Sequence, residues 1–258
     1  MIKWLVFLIL CSSLFYSCAS TQKVRYFNTL ADSTVFQTNA IPDQAINAHD
    51  LLGISISSIN TEASAIFNQP NQSNVQTTTE TGGTLRPAGY LVGPDGKIRF
   101  PMLGAVQAGG LTKRQLQENI RLALVERKLL VDPIVEVRLL NFKVTVLGEV
   151  ARPTVITVAN DKITLLEALG LAGDITIYGM RNNVLVIREN GVNKLSQRID
   201  LNSTELLNSE YYYLQSNDVV YVQPNKARAA TATRVTQLLP VIISGLTASV
   251  LILDRLFR

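Results

Sequence analysis

Histidine, tryptophan and cysteine are nearly absent from this chain, with one His, one Trp and two Cys in 258 residues. A zinc site needs three or four converging ligands, so the lone His49, beside the start of a strand, reads as structural. Charge is also sparse: 17% of residues, as 24 Lys and Arg against 20 Asp and Glu. Basic and acidic residues are interleaved, which describes a solvated surface and points to no nucleic-acid partner. GxGxxG, P-loop, GxSxG and HExxH patterns are all missing, and no carboxylate pair in the sequence suggests glycoside hydrolysis. Gly109-Gly110 before a helix could cradle a phosphate, but its commoner use is a turn. These absences argue against an enzyme, a metal centre or a cofactor. The 47% of apolar residues permits a real core, and at this length two small domains are expected.

The N-terminus has the pattern of a secretory signal over residues 1–17. Lys3 supplies one positive charge, and the apolar run that follows is too short to span a bilayer stably. Ser17-Cys18 closes it as a lipobox would, so Cys18 is the expected lipidation site and mature N-terminus, with a plain cleaved signal as the alternative. Cleavage there removes Cys11 and Trp4, and losing Lys3 takes the formal charge from +4 to +3. No disulfide chemistry remains. Residues 18–45 are polar and read as a lipidated tether to the first domain.

A first domain is expected over 46–141. Residues 60–88, rich in Asn, Gln, Ser and Thr, read as a mobile insertion within it. Residues 90–139 carry the most consistent local signals. Gly93-Pro94-Asp95-Gly96 is a turn. Ile98 and Phe100 alternate with Lys97 and Arg99 as in a strand, which Pro101 ends. Thr112 and Gln115 have capping-box spacing, and Leu116, Ile120, Ala123 and Leu124 form the buried stripe of the helix that follows. Asp132-Pro133 breaks that helix, and Val135, Val137 and Leu139 then share one strand face.

The order Asp95-Gly96, Ile98, Pro101, Gly104, Gly110, Thr112, Asp132-Pro133, Val135, Val137 resembles the outer-membrane polysaccharide export family, the Wza-like proteins. Asp50-Leu51-Leu52 with Ile54 and Ile56 resembles the family's opening strand, with His49 where a glycine is more usual. The segment 142–224 resembles the soluble-ligand-binding β-grasp domain that follows in that family. Here Gly148-Glu149-Val150 with Pro153, the capping box Thr164 to Glu167 with Leu165, Leu166, Ala168 and Leu169, and Asp218-Val219-Val220 with Val222 stand in order. Thr154 and Asp174 replace glycines of the pattern.

The fold class expected is therefore α+β: an export domain, a β-grasp domain, and a C-terminal membrane segment over 225–258. Within that segment, residues 235–253 are long and apolar enough on paper to span, with basic residues at both ends. Gln237, Ser244 and Ala248 fall near one helical face, with Thr247 close by. They are the candidate pore-lining residues, the alternative being a simple anchor. The resemblance implies a lipoprotein whose copies form a homo-oligomeric ring that conducts capsular or extracellular polysaccharide across the periplasm and outer membrane. It also implies an inner-membrane copolymerase or tyrosine-kinase type partner. The rival reading is a periplasmic ligand-binding or scaffold lipoprotein with a membrane anchor.

Overall fold

The computed structural model describes residues 25–28, 30, 35, 43–71, 88–190, 193–231 and 234–256. The signal 1–17, Cys18 and residues 72–87 of the expected insertion lie outside the described residues. Two hydrophobic cores form, one centred on Leu52, Ile54, Ile98, Leu116 and Ile120, the other on Val144, Val146, Leu165, Val184 and Val220.

In the first unit, strand β1 (Leu51–Ser57) turns Leu52, Ile54 and Ile56 inward with period two. Helix α1 (Thr61–Asn68) follows, capped by the Asn60 side chain, which accepts from the Ala63 N–H. This corrects the expectation of a mobile loop from residue 60. The polar composition conceals one anchor: Phe67 is 1% exposed and stacks on Phe100 at 5.8 Å. Burying such a ring contributes about 1.5–3 kcal/mol, enough to hold a two-turn helix.

Strand β2 (Tyr90–Leu91) pairs with β1 only at Leu51 and Leu52. Strands β3 (Lys97–Phe100) and β4 (Gly104–Gln107) form an antiparallel hairpin. Strand β4 is not expected from the sequence, where Pro101 leads directly to the helix, because the tight turn before it rests on positive φ at Met102 and Gly104, which no local pattern announces. Helix α2 (Lys113–Glu126) has both halves of the capping box, Thr112 and Gln115. It buries Leu116, Ile120 and Leu124, with Ala123 partly covered. Strand β5 (Ile134–Leu139) runs antiparallel to β1 over six residue pairs.

Only three residues separate β5 from the second unit's β6 (Lys143–Gly148). That unit continues with β7 (Thr154–Thr157), α3 (Leu165–Leu171), β8 (Gly179–Asn190), β9 (Asn193–Ile199) and β10 (Val219–Pro224). The sheet order is β7-β6-β10-β8-β9, with β10 parallel to β6 and antiparallel to β8. Helix α3 buries Leu165, Ala168 and Leu169 on one sheet face. Gly148 must be glycine: at φ +91° a Cβ would lie 2.1 Å from the Val222 carbonyl oxygen.

Asp218, fully buried, starts β10 and receives a bidentate Arg188, with Nη2–Oδ2 at 2.7 Å and Nε–Oδ1 at 3.1 Å. Its Oδ2 also accepts from the Gln215 N–H at 2.8 Å. The buried pair is thus fully hydrogen-bonded, as burial of charge requires.

The chain before residue 43 is not wholly a tether towards the first unit. The Phe27 N–H donates to Leu201 O at 3.2 Å and the Asn28 N–H to Asn202 O at 2.8 Å. Tyr26 and Phe27 pack on the second core.

Candidate functional site

The C-terminal segment rises from the end of β10. Asn225 fixes its base: its N–H donates to Tyr178 O at 2.7 Å, and its Oδ1 accepts from the Arg228 N–H at 3.0 Å. Helix α4 (Lys226–Thr231) carries Arg228, whose Nε meets Glu149 Oε1 at 2.9 Å and whose guanidinium lies over Tyr178. Glu149 is itself held by Thr176 Oγ1 at 3.0 Å.

Helix α5 (Arg234–Leu256) follows, roughly 35 Å long at 1.5 Å per residue. Leu238, Val241, Ile242, Ile243, Val250, Leu251 and Ile252 are each more than half exposed on it. The expected helix is there, but the expectation that residues 235–253 cross a membrane is corrected: among the described residues no helix is long and apolar enough to do so. Pro240 removes a helical N–H, and Ser244, Gly245, Thr247 and Ser249 divide the apolar run.

The pore-lining candidates Ser244, Thr247 and Ala248 are exposed on α5, and Gln237 lies on the same helix. Ser244 Oγ donates to Pro240 O at 2.7 Å, Thr247 Oγ1 to Ser244 O at 2.9 Å, and Ser249 Oγ to Gly245 O at 2.8 Å. These hydroxyl donors are satisfied inside the helix while their lone pairs stay open, so the face tolerates close packing and can still accept hydrogen bonds.

A cleft of about 140 Å³ lies between the two units, and its lining includes Gln44, Asp50, Lys113, Asp161, Tyr213 and Gln215. Lys113 Nζ reaches Asp161 Oδ2 at 2.9 Å across it, and Gln44 Oε1 accepts from the Ser216 N–H at 3.1 Å. Leu139 packs against both cores. Burial pushes the Asp50 carboxyl above its ordinary value, opposed by the hydrogen bond from the Asn47 N–H. No local pattern in the sequence marks this cleft as a site, because its lining comes from segments as far apart as Asp43 and Gln215.

Gly109-Gly110 is a turn and not an anion cradle. Its N–H groups are spent on Gly96 O at 2.7 Å and Ile46 O at 2.9 Å. His49 is exposed and stands at φ +69°. Among the described residues no group of three or more His, Cys, Asp or Glu is placed to hold a metal.

Residues 38–140 match the family of polysaccharide biosynthesis/export proteins, and residues 142–222 match the SLBB domain. The two matches follow one another without overlap and take in both cores. Taken together, the matches support a Wza-like polysaccharide export family. Among the relatives are two proteins named EPS I polysaccharide export outer membrane protein EpsA. That of Ralstonia solanacearum is 31% identical over 112 residues, and that of Ralstonia nicotianae 34% identical over 111. Each alignment covers 42% of this chain and 29% of the relative, so the likeness reaches under a third of those proteins' length.

Proposed function

We propose that this protein is a transport component, not an enzyme, and works as an outer-membrane lipoprotein whose copies assemble into a ring for export of capsular or extracellular polysaccharide. The observation that carries the reading is the exposed apolar helix α5, set on a clamped base at the end of an export-family chain. An unpartnered helix with this much apolar surface needs a cover, and neighbouring copies related by rotation supply one.

In such a ring Gln237, Ser244, Thr247 and Ala248 are the lumen-facing candidates, and the aliphatic side chains pack against neighbouring copies. Cys18 is the lipid attachment site, and an inner-membrane copolymerase or tyrosine-kinase type protein is the partner that delivers polymer. Specificity rests on lumen width and many weak hydrogen bonds, so no short set of residues forms a binding site.

The test is particle imaging of protein extracted in mild detergent, with light scattering of the same sample. Closed rings are expected. Monomers throughout, with α5 intact, would sink the conduit and leave the scaffold lipoprotein. Mass spectrometry of the mature N-terminus should find a diacylglyceryl-modified Cys18, and an unmodified Cys18 in membrane-bound protein would remove the lipid from the reading.

A further inference from the structure

We infer that residues 25–28 form a latch that fastens the N-terminal segment to the stretch 174–181, the loop after α3 and the start of β8, which also holds the base of the C-terminal helix, so that both chain ends are coupled through one stretch. Several contacts of different kinds converge on the latch. The Tyr26 hydroxyl donates to the Asp174 carboxylate, and the Tyr26 ring lies under the Arg181 guanidinium, 5.3 Å from its carbon to the ring centroid. Arg181 is 7% exposed. Its Nη2 is taken by Ile175 O at 2.9 Å, while its Nε lies buried with no hydrogen-bond acceptor. The face of Tyr26, together with Asp174 Oδ2 at 4.0 Å from Nη2, is therefore what the buried cation meets on that side.

The Phe27 and Asn28 amides extend the contact as two rungs on Leu201 and Asn202. Burial first, and then the Asp174 carboxylate, push the Tyr26 phenol up from its ordinary value, so it stays a donor at neutral pH.

The stretch 174–181 reaches the other chain end within a few residues. Ile177 O accepts from Asn225 Nδ2 at 3.3 Å, Tyr178 O accepts from the Asn225 N–H at 2.7 Å, and the Tyr178 ring faces Arg228. Asp174 shapes the start of the loop, since it stands at φ +67° and its Oδ1 accepts from the Ile175 N–H at 2.6 Å. Releasing Tyr26 removes the partner that holds Asp174 and leaves Arg181 facing solvent, and the strain falls on the short stretch that grips Asn225. The latch needs no lipid and no ring, so it stands apart from the export reading.

Residue-resolved hydrogen exchange on the detergent-extracted full chain tests it. In the natural protein the Phe27 and Asn28 amides should exchange at least about tenfold more slowly than free chain. Tyr26→Ala and Asp174→Ala should bring them to free-chain rates and accelerate the Asn225 amide at least threefold, with Val220 and Val222 in β10 unchanged. If β10 accelerates as well, Tyr26→Phe, which removes only the hydroxyl, becomes the deciding variant and should accelerate the latch amides and Asn225 while leaving Val220 and Val222 unchanged. Free-chain exchange at Phe27 and Asn28 in the natural protein overturns the latch. A released latch with Asn225 unmoved overturns the coupling.

Discussion

His49 holds φ at +69° with its side chain in solvent, a backbone conformation that a Cβ disfavours by roughly 1–2 kcal/mol. Its N–H donates to Val92 O and its carbonyl accepts from Asn141 Nδ2, so backbone contacts alone impose the geometry. His49→Gly should therefore stabilise the first unit by about 0.5–1 kcal/mol after the entropy cost of glycine, read as a raised urea midpoint with unchanged slope. An unchanged or lowered midpoint would show that the imidazole contributes something the backbone does not. Asp174 holds the same left-handed conformation at φ +67° but differs in kind: its carboxylate is occupied by Tyr26 and by the Ile175 N–H. Both residues stand where the family pattern has glycine, and in one the side chain is an idle passenger while in the other it has work.

At the scale of elements, the end of α1 and the single turn Gln69–Asn71 after it act as a surrogate strand. Beyond Leu52 the outer edge of β1 has no strand neighbour among the described residues, and two primary amides fill the gap. Asn68 Oδ1 accepts from the Ile56 N–H at 2.9 Å while its Nδ2 donates to Ile56 O at 2.8 Å. Asn71 does the same at Ile54, at 3.3 and 2.6 Å. Each amide thus reproduces a pair of ladder rungs and caps an edge that would otherwise invite another chain. Replacing either by alanine leaves an N–H and a C=O without partners, at about 1–3 kcal/mol. Asn68→Ala with Asn71→Ala should lower the first unit's stability by about 2–6 kcal/mol on that basis, and the Ile54 and Ile56 amides should exchange by local opening before the rest of β1. If they stay protected to the global limit, water or β2 has taken over the edge and the surrogate role falls.

For the whole molecule the decisive feature is that one end is well packed and the other is bare. The two cores meet through Leu139, the three-residue connection and the Lys113–Asp161 pair, while α5 stands with its aliphatic residues exposed. On the proposed reading, a lipid on Cys18 could lie at most about 28 Å from Tyr26 even along a fully extended chain, and would keep the second unit near the membrane surface. On the conduit reading, Ser244→Trp and Ala248→Trp should abolish surface polysaccharide while protein level and membrane fractionation stay as in the natural protein. Normal polysaccharide in both variants would reduce α5 to an anchor.

Local patterns in the sequence determined the capping boxes at Thr112 and Thr164, the alternation of β3, β5 and β10, the stripe on α2 and the order of the two units. Each of these depends on neighbours a few residues apart. What only the tertiary structure decided were the contacts made across distance: α1 held by Phe67 against Phe100, the Asn68 and Asn71 rungs, the interdomain cleft, and Tyr26 on Asp174. A polar stretch such as 60–71 carries too little periodicity to announce a helix whose stability comes from one distant ring. The C-terminal helix stands between the two cases. Its helical nature was legible from composition, but whether its apolar face meets lipid, a neighbouring copy or both depends on an assembly whose energy is a property of several chains, not of one.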